Sequence, residues 1–389
     1  MRSGRTASPS AFVESLEGRI QFDGGVTIIV GGASQSAFAK PVAYASGGKG
    51  PQGVVTGDFN RDKKADIAYV NYGSNSVGIM LNTGSGSFGK AAVYANVGSA
   101  LTSIAATDFN GDGYLDLAFV GKDLGVMFGK GNGTFNPVTH IALGKKPLTV
   151  ITGDFNKDGR ADIAATNFSS NTISVVLNRG RSRFFAPINS SGGNGPAGLV
   201  AGDFTGDGKL DIAVSDMGDG GTGGGAGVRV LVGAGNGSFA ATGLLKVGSR
   251  PGSIAAGDLN KDGKLDLVTS NGGIVGISSG GQDSVSVLMG VGSGTFGAAT
   301  SFATGSGPTS VVIADYNQDK RLDVLAANYG SSTISVLKGN NSGSLSVVES
   351  LPGATGNSSL AIADFNVDGK IDVVSTGFTA GTVVVYRHK

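Results

Sequence analysis

One segment occurs seven times in this sequence, and it constrains the fold more than any other feature. Each copy reads approximately Asp-Phe-Asn-x-Asp-Gly-x-x-Asp and is followed by an apolar run. Successive copies begin 46 to 57 residues apart. That period matches one blade of a β-propeller and is too long for a leucine-rich repeat or a nonapeptide calcium roll. The first aspartates of the copies are Asp58, Asp108, Asp154, Asp203, Asp258, Asp315 and Asp364.

Each repeat unit has the pattern of four β-strands. A run of small and β-branched residues precedes the first aspartate, as in 103–107, and an alternating run follows it, as in 115–120. A third run, such as 172–177, leads to a glycine-rich turn, an aromatic residue or leucine, and a weaker fourth run. No segment shows sustained helical periodicity. Four strands repeated radially predict an all-β fold, a seven-bladed β-propeller of four-stranded blades.

The two ends of the sequence divide one repeat unit between them. The last unit stops after its third strand, at 382–386, without a glycine-rich turn or a fourth strand. The segment from Phe38 to Tyr44 matches the segment from Phe88 to Tyr94, including the interval between the two aromatic residues. We therefore predict that the N-terminal strand completes the last blade and closes the ring, which removes an exposed sheet edge.

Residues 1–33 do not fit the repeat, so the predicted domains are this N-terminal segment and a propeller over 34–389. The segment contains three arginines, the short apolar run 26–30 and several small residues, and it resembles an imperfect secretory signal. Its apolar run is shorter than such signals usually have. Two interpretations stay open, a weak export segment and an N-terminal tail without a role in the fold.

Composition excludes several classes of site and partner. The absence of cysteine excludes disulfide scaffolds, thiolate zinc sites and cysteine nucleophiles. The two histidines, His140 and His388, leave little for a histidine triad, and we expect both at the surface. A formal charge of +1 gives no electrostatic argument for nucleic acid. No apolar run approaches the roughly 18 residues of a membrane helix, so we expect a protein that does not span a membrane. We also expect a monomer.

The aspartate loops have the residue types and spacing of calcium sites. Calcium takes six to eight oxygen ligands, and loop positions 1, 3, 5 and 9 supply side-chain oxygens, with a backbone carbonyl expected from position 7. Glycine at position 6 permits the positive φ of a sharp turn. An EF-hand needs a glutamate at position 12 and flanking helices, and this sequence has neither. Turn chemistry alone explains Asp, Asn and Gly, but not a carboxylate at position 9 in the next strand.

We predict up to seven structural Ca²⁺ ions, one in each loop. The predicted ligands, by loop, are Asp58, Asn60, Asp62, Lys64 and Asp66; Asp108, Asn110, Asp112, Tyr114 and Asp116; Asp154, Asn156, Asp158, Arg160 and Asp162; Asp203, Thr205, Asp207, Lys209 and Asp211; Asp258, Asn260, Asp262, Lys264 and Asp266; Asp315, Asn317, Asp319, Arg321 and Asp323; and Asp364, Asn366, Asp368, Lys370 and Asp372. Position 6 is Lys63 in the first loop and Lys320 in the sixth, where a left-handed conformation costs about 1 kcal/mol and should weaken binding.

These loops resemble the FG-GAP/VCBS repeats, the family whose calcium-binding propeller also forms the head of integrin α chains. The resemblance covers about 38–389 and rests on seven matching loops. It implies that the metal loops join the first and second strands of each blade, on the face opposite the usual ligand-binding face. It does not imply one activity, because the repeat occurs in adhesins, lectin-like proteins and enzyme-associated modules.

The connections between second and third strands are the predicted ligand-binding region. Three begin with Asn and an aromatic residue, whose ring could stack on a sugar or could pack between blades. The connections of blades four and five are longer and contain aspartates, and length variation on one face often marks function. The candidate ligand-binding residues are Tyr72, Phe168, Asp216, Asp219, Asp283 and Tyr329.

Together these features predict a secreted or cell-surface, calcium-binding propeller that acts as an adhesion or ligand-binding module for a glycan or a protein. No motif pairs a nucleophile with a base, so we do not expect an enzyme. The alternative is a calcium-dependent polysaccharide lyase or hydrolase with its acid and base on different blades. Three aspartates in each loop account for 21 of the 29 acidic residues. Seven bound Ca²⁺ ions would change the formal charge from +1 to +15, which makes acidic polysaccharides candidate ligands.

Overall fold

The structure, a computed structural model, describes five stretches of the chain: 19–21, 27–29, 36–218, 225–275 and 282–389. The chain divides into two compact units, Met1–Ala37 and Phe38–Lys389. In the first unit, Arg19–Gln21 pairs antiparallel with Thr27–Ile29. Most of the predicted tail or export segment lies outside the described residues.

The second unit is a ring of antiparallel sheets. Within the described residues it contains seven sheets of four strands each, and the first strands of neighbouring blades contact one another in a closed circle. A single 3₁₀ turn, Phe168–Ser170, interrupts the β-structure of this part. The prediction of an all-β, seven-bladed propeller is confirmed.

The four strands of each blade run from the axis outwards. The first strands are Pro51–Gly57, Ser103–Thr107, Pro147–Gly153, Pro196–Gly202, Ile254–Gly257, Pro308–Ala314 and Asn357–Ala363. The second strands are Asp66–Asn71, Asp116–Val120, Asp162–Asn167, Asp211–Asp216, Asp266–Ser270, Asp323–Asn328 and Asp372–Gly377. The third strands are Ser76–Met80, Leu124–Met127, Thr172–Val176, Gly227–Gly233, Ser284–Leu288, Thr333–Gly339 and Thr382–Tyr386. The fourth strands are Ala92–Ala95, Thr139–Ile141, Ile188–Ser191, Phe239–Leu245, Thr300–Ala303, Leu345–Pro352 and, for blade seven, Val42–Ala45.

Three of the turns between third and fourth strands form small two-stranded ribbons. The ribbons are Asn82–Gly84 with Ser87–Phe88, Asn178–Gly180 with Arg183–Phe184, and Gly290–Gly292 with Thr295–Phe296. Each ribbon precedes the fourth strand of its blade and carries the aromatic residue that the repeat pattern places there.

The N-terminal strand closes the ring as predicted. Val42–Ala45 pairs antiparallel with the third strand of blade seven, Thr382–Tyr386, and places Tyr44 opposite Val383. Phe38 extends this pairing by a bridge to His388. Blade seven is therefore assembled from both ends of the propeller sequence, and its sheet has no unpaired third strand.

Burial follows from the position of each strand in the blade. Second and third strands such as Asp66–Asn71 and Ser76–Met80 are buried along their whole length, because each blade packs between two neighbours. This packing explains why these strands read as continuous apolar runs. First strands crowd at the axis, where a Cβ on Gly53 would lie 2.8 Å from Cα of Ser103. The axis therefore requires small residues.

The antiparallel order of the strands defines two faces. The aspartate loops between first and second strands and the turns between third and fourth strands lie on one face, here called the loop face. The connections between second and third strands, and from each blade to the next, lie on the other, here called the ligand face. The loop positions match those that the family resemblance implies.

Candidate metal loops and ligand face

The seven aspartate loops share one backbone conformation. Positions 4 and 6 have positive φ in every loop, between 59° and 83°. The positive φ at position 6 was expected, whereas the one at position 4 was not, because five of its seven residues are not glycine. The position 4 residues are Arg61, Gly111, Lys157, Gly206, Lys261, Gln318 and Val367, and the position 6 residues are Lys63, Gly113, Gly159, Gly208, Gly263, Lys320 and Gly369.

Backbone amides bind the polar side chains of each loop, as the third loop illustrates. Asp154 accepts hydrogen bonds from the amides of Asp158 and Gly159, at 3.1 and 2.8 Å. Asn156 Oδ1 accepts from the amide of Asp158, and Asp158 Oδ1 accepts from the amide of Arg160. These bonds curl the chain around its own side-chain oxygens. Each oxygen has a second lone pair that can bind a cation.

The aspartate at position 9 is buried and joins three parts of its blade. Asp162 is fully buried, and its two oxygens accept from the amides of Phe155 at 3.0 Å and Asn178 at 2.7 Å. Burial raises the pKa of Asp162 to about 6, although these hydrogen bonds oppose the rise. The nearby charges of Asp158 and Asp154 raise it further. A bound cation would offset the unfavourable charge of this carboxylate.

In five of the seven loops, the basic side chain at position 7 forms an ion pair with the aspartate at position 5. Lys209 Nζ lies 2.8 Å from Asp207 Oδ2, and Lys64 Nζ lies 3.0 Å from Asp62 Oδ2. The side-chain hydrogen bond from Lys209 lowers the pKa of Asp207. These exposed pairs contribute little stability individually. They place positive charge beside the acidic loop without occupying its backbone carbonyl.

The donors present suit a hard cation. Carboxylate, amide and carbonyl oxygens line each loop, and calcium binds oxygen ligands of these kinds. In the described stretches, no group of three or more Asp, Glu, His or Cys side chains is arranged as a metal site on its own. Any bound ion would therefore depend on amide and backbone oxygens as well as carboxylates. Calcium binding by the 35 predicted ligands stays a prediction.

Each aspartate loop contacts the following blade through its second residue, and in five loops the carbonyl of that residue also accepts a hydrogen bond from the following blade. The carbonyl of Phe59 accepts from the amide of Gly133 at 2.8 Å, and the Phe59 ring packs edge-on against Phe135 at 5.9 Å. Blades seven and one repeat this contact, with the rings of Phe365 and Phe88 at 5.2 Å. The equivalent pairs are Phe109 with Phe184, Phe155 with Phe239, Phe204 with Phe296, Leu259 with Leu345, and Tyr316 with Phe38. The conformation of each loop therefore affects an interface between blades.

Three aromatic residues from blades six, seven and one meet on the ligand face. The ring centroids of Tyr72 and Phe378 are 6.0 Å apart, and those of Tyr329 and Phe378 are 6.4 Å apart. Tyr72 is 40% exposed, and the other two are partly exposed. We call Tyr72, Tyr329 and Phe378 the aromatic cluster. Sequence reasoning missed Phe378 because it follows Gly377 rather than an asparagine, although alignment of the repeats places it with the two tyrosines.

The asparagines that precede Tyr72, Phe168 and Tyr329 have a structural role. Asn71, Asn167 and Asn328 are fully buried. Asn167 Nδ2 donates to the hydroxyls of Thr172 and Ser174 on the third strand. Phe168 lies in blade three, apart from the aromatic cluster, with Lys146 Nζ 5.1 Å from its ring centroid.

The acidic candidates have different environments. Asp216 is fully buried, and its Oδ2 lies 2.7 Å from Arg229 Nε in an ion pair. Asp283 is exposed and accepts from the amide of Gly307 at 2.9 Å. Asp219 lies outside the described residues. Asp216 therefore holds the connection in place and is not presented to a ligand.

The two histidines also differ. His140 lies at the surface as predicted, with Nδ1 3.2 Å from Asp123 Oδ1. His388 is half-buried, and its ring packs edge-on against Phe38 at 5.5 Å, so the expectation of a surface position was wrong for this residue. The bridge between residues 38 and 388 explains the difference, because blade closure covers the end of the last strand.

A ring of loop-bearing four-stranded repeats defines the class of protein as a repeat β-propeller. The sequence pattern of the FG-GAP-like repeat matches 58–119, 154–214, 218–269, 274–326 and 315–375, and that of the FG-GAP repeat matches 251–288. These matches cover more than half of the chain, so it belongs to the FG-GAP repeat family. None of the curated proteins compared with it matches the sequence. The FG-GAP propeller fold supports a ligand-binding or adhesion-type module.

Several solved structures share the fold. Virginiamycin B lyase from Staphylococcus aureus, in its selenomethionine-substituted form, is 14% identical with a TM-score of 0.57, over 89% of this chain and 98% of that chain. BBS1N in complex with ARL6DN is 11% identical with a TM-score of 0.62, over 91% and 98%. A functionally unknown protein from Desulfotomaculum acetoxidans is 15% identical with a TM-score of 0.52, over 80% and 88%. At these identities the likeness concerns the fold alone. Within the described stretches, the structure has no helix of the length and hydropathy that a membrane span requires.

Proposed function

We propose that this protein is a secreted or cell-surface, calcium-stabilised propeller that binds a glycan or a protein through its ligand face. The aromatic cluster of Tyr72, Tyr329 and Phe378 carries the proposal. Three blades each contribute one ring, and the cluster stays partly exposed. A group of partly exposed rings at the surface offers apolar area that a bound ligand would bury.

A glycan is the first choice of ligand because the cluster offers rings and hydroxyl groups together. Sugar rings present C–H faces that stack on aromatic rings, while their hydroxyls pair with polar groups. The two tyrosines supply both features, with phenol hydroxyls that donate and accept hydrogen bonds. A protein partner would use the same rings as buried anchors. The aromatic cluster therefore serves either ligand, and binding experiments separate them.

Calcium has a structural part in this proposal. In the third loop, Asp154, Asn156, Asp158 and Asp162 would hold the ion with the carbonyl of Arg160. The ion would supply positive charge among crowded carboxylates. Because each loop contacts the next blade, ordering the loops would also order the interfaces between blades. Extracellular modules typically bind calcium with dissociation constants of about 0.1 to 1 mM, so an affinity in that range would fit the proposed location.

A glycan array with purified protein is the test, carried out in calcium. Binding should decrease at least tenfold in Tyr72→Ala and Tyr329→Ala. Phe185→Ala is the matched control, because Phe185 is 49% exposed but lies on the loop face beside Arg179. An array without a hit favours a protein partner. A hit that the two tyrosine variants retain contradicts the aromatic cluster as the site.

The proposal includes no catalytic step. Asp216 forms an ion pair with Arg229. Among the described acidic candidates in the connections between second and third strands, Asp283 is therefore the one that is exposed. Turnover of a pectin and glycan panel tests this part. Product formation that is lost in Asp283→Ala, while calcium-dependent stability is kept, would assign the protein to the lyases or hydrolases instead.

A further inference from the structure

A second site on the ligand face lies between blades two and three. A groove of about 450 Å³ is lined by Ala100, Lys122, Leu143, Lys145, Lys146 and Ser170, among others. We call it the lysine groove. Its residues come from the connections that surround these two blades, and none belongs to the aromatic cluster. The volume is within the range of small-molecule sites, roughly 300 to 1,000 Å³.

The charge of the lysine groove is unbalanced. Lys122, Lys145 and Lys146 are all exposed. Within the described part of the chain, the lysines that form ion pairs are others, namely Lys64, Lys209, Lys264 and Lys338. The nearest acid in sequence, Asp123, is hydrogen-bonded to His140 on the fourth-strand side of the blade. Three ammonium groups therefore line one concave surface, and among the described residues no carboxylate forms an ion pair with them.

The backbone of the groove is held in place before any ligand binds. The amide of Lys122 donates to the carbonyl of Ser99 at 2.9 Å, and the amide of Lys145 donates to Ser170 Oγ at 2.7 Å. The carbonyl of Lys146 accepts from the amide of Phe168 at 3.0 Å. A fixed backbone at the three lysines reduces the ordering that a ligand must impose, which favours binding.

The lining combines cations with an apolar floor. Leu143 is half-buried, Ala100 is exposed and both line the groove, so both offer apolar contact to the body of a ligand. Lys146 Nζ is 5.1 Å from the Phe168 ring centroid, a cation–π contact. An occupant that matches this surface carries a compact ring or chain with an acidic group.

The geometry points to a binding site in the lysine groove for the acidic group of a saccharide, a carboxylate or a sulfate. The preference for an anion follows from the groove itself, whereas the choice of a saccharide rests on the proposed function. Ammonium groups bind such anions by charge-assisted hydrogen bonds, while Leu143 and Ala100 contact the sugar ring. Nucleic acid is less suited, because it needs a basic stripe over many phosphates and this groove has three cations.

Calorimetric titration with oligogalacturonate and its fully methyl-esterified form tests the assignment. The acidic oligosaccharide should bind at least tenfold more tightly than the neutral ester, with affinity that falls as salt is added. The combined variant Lys122→Gln, Lys145→Gln and Lys146→Gln should lose that tenfold preference. A combined variant of Lys40, Lys90 and Lys130 to Gln is the control. It removes the same charge from exposed lysines near the loop face and should bind within twofold of the wild type.

The outcomes separate this inference from the proposed function. If the groove variant binds oligogalacturonate as well as the wild type does, the groove assignment is wrong and the glycan function stands. If no saccharide binds, a titration with inorganic sulfate, followed by NMR of the Leu143 methyl groups, tests whether the groove binds an anion. Shifts in the wild type that the groove variant lacks support the anion site without the glycan function. The absence of such shifts, or tighter binding of an oligonucleotide of equal charge, overturns the inference.

Discussion

In calcium-free buffer, acidification from pH 7.5 to pH 5 is expected to stabilise this propeller. Burial raises the pKa of the position 9 aspartates Asp66, Asp116, Asp162 and Asp323 to about 6, from an ordinary value of 3.8. Between these two values the folded protein binds more protons than the unfolded chain. Stability from these groups is therefore fully present below about pH 4 and is lost as the pH rises through 6.

The magnitude follows from the size of the pKa shift. A group with a pKa of about 6 in the folded state and 3.8 in the unfolded state gains about 1.4 kcal/mol of folding stability at pH 5 relative to pH 7.5. Four independent groups would give about 5 to 6 kcal/mol, which is comparable to the whole stability of many domains. Saturating calcium should reverse the direction, because protons then compete with the ion for the same carboxylates.

Urea unfolding at pH 7.5, 6.5, 5.5 and 5.0, with and without calcium, measures both slopes. Asp116→Asn removes one of the groups whose pKa rises to about 6, so the calcium-free gain should shrink by about 1.4 kcal/mol. Asp207→Asn is the control, because the pKa of Asp207 is lowered and its titration lies below this pH range. A calcium-free midpoint that stays constant or decreases on acidification would refute the reasoning from buried carboxylates.

Three further predictions concern the loops and the interfaces between blades. Val367→Gly should raise the urea midpoint by an amount equivalent to about 1 kcal/mol, because a β-branched residue is strained at a φ of 60°. A lower midpoint would show that the loop does not store this strain. Calcium at about ten times its Kd should stabilise the fold by about 1.4 kcal/mol per occupied loop, measured by calorimetry, and an unchanged melting temperature contradicts the metal interpretation. Phe365→Ala should destabilise the protein by about 3 to 5 kcal/mol, because the Phe365 ring is fully buried between blades seven and one. Phe185→Ala is the control and should change the urea midpoint little, because Phe185 is exposed. Equal effects of the two substitutions would argue against a role of Phe365 between the blades.

The longer connections of blades four and five include residues 219–224 and 276–281, which lie outside the described residues. The structure therefore describes only part of the region that the sequence indicates as a candidate ligand site. The described part shows why aspartates alone are a weak signal of a ligand site. Asp216 ends the second strand of blade four and Asp283 directly precedes the third strand of blade five, yet one is buried against Arg229 and the other is exposed. Sequence position does not distinguish a neutralised carboxylate from an available one.

The sequence by itself determined the repeat, the number of blades, the shared last blade and the location of the aspartate loops. All four depend on patterns within one unit: strand alternation, a fixed loop of nine residues, and the match between 38–44 and 88–94. Local pattern is sufficient here because each blade repeats the same solution to the same packing problem. The motif shows the phenylalanine at position 2, but it does not show that this residue packs against the aromatic residue of the following blade.

Only the tertiary structure decided which side chains from different blades meet. It joined Tyr72 and Tyr329 through Phe378, paired Phe59 with Phe135, and gathered Lys122 and Lys145 in one groove. These contacts depend on the twist of each sheet and the angle between blades, which no single repeat encodes. Ligand sites on a propeller are assembled across such interfaces, because a blade alone offers loops but no enclosed surface.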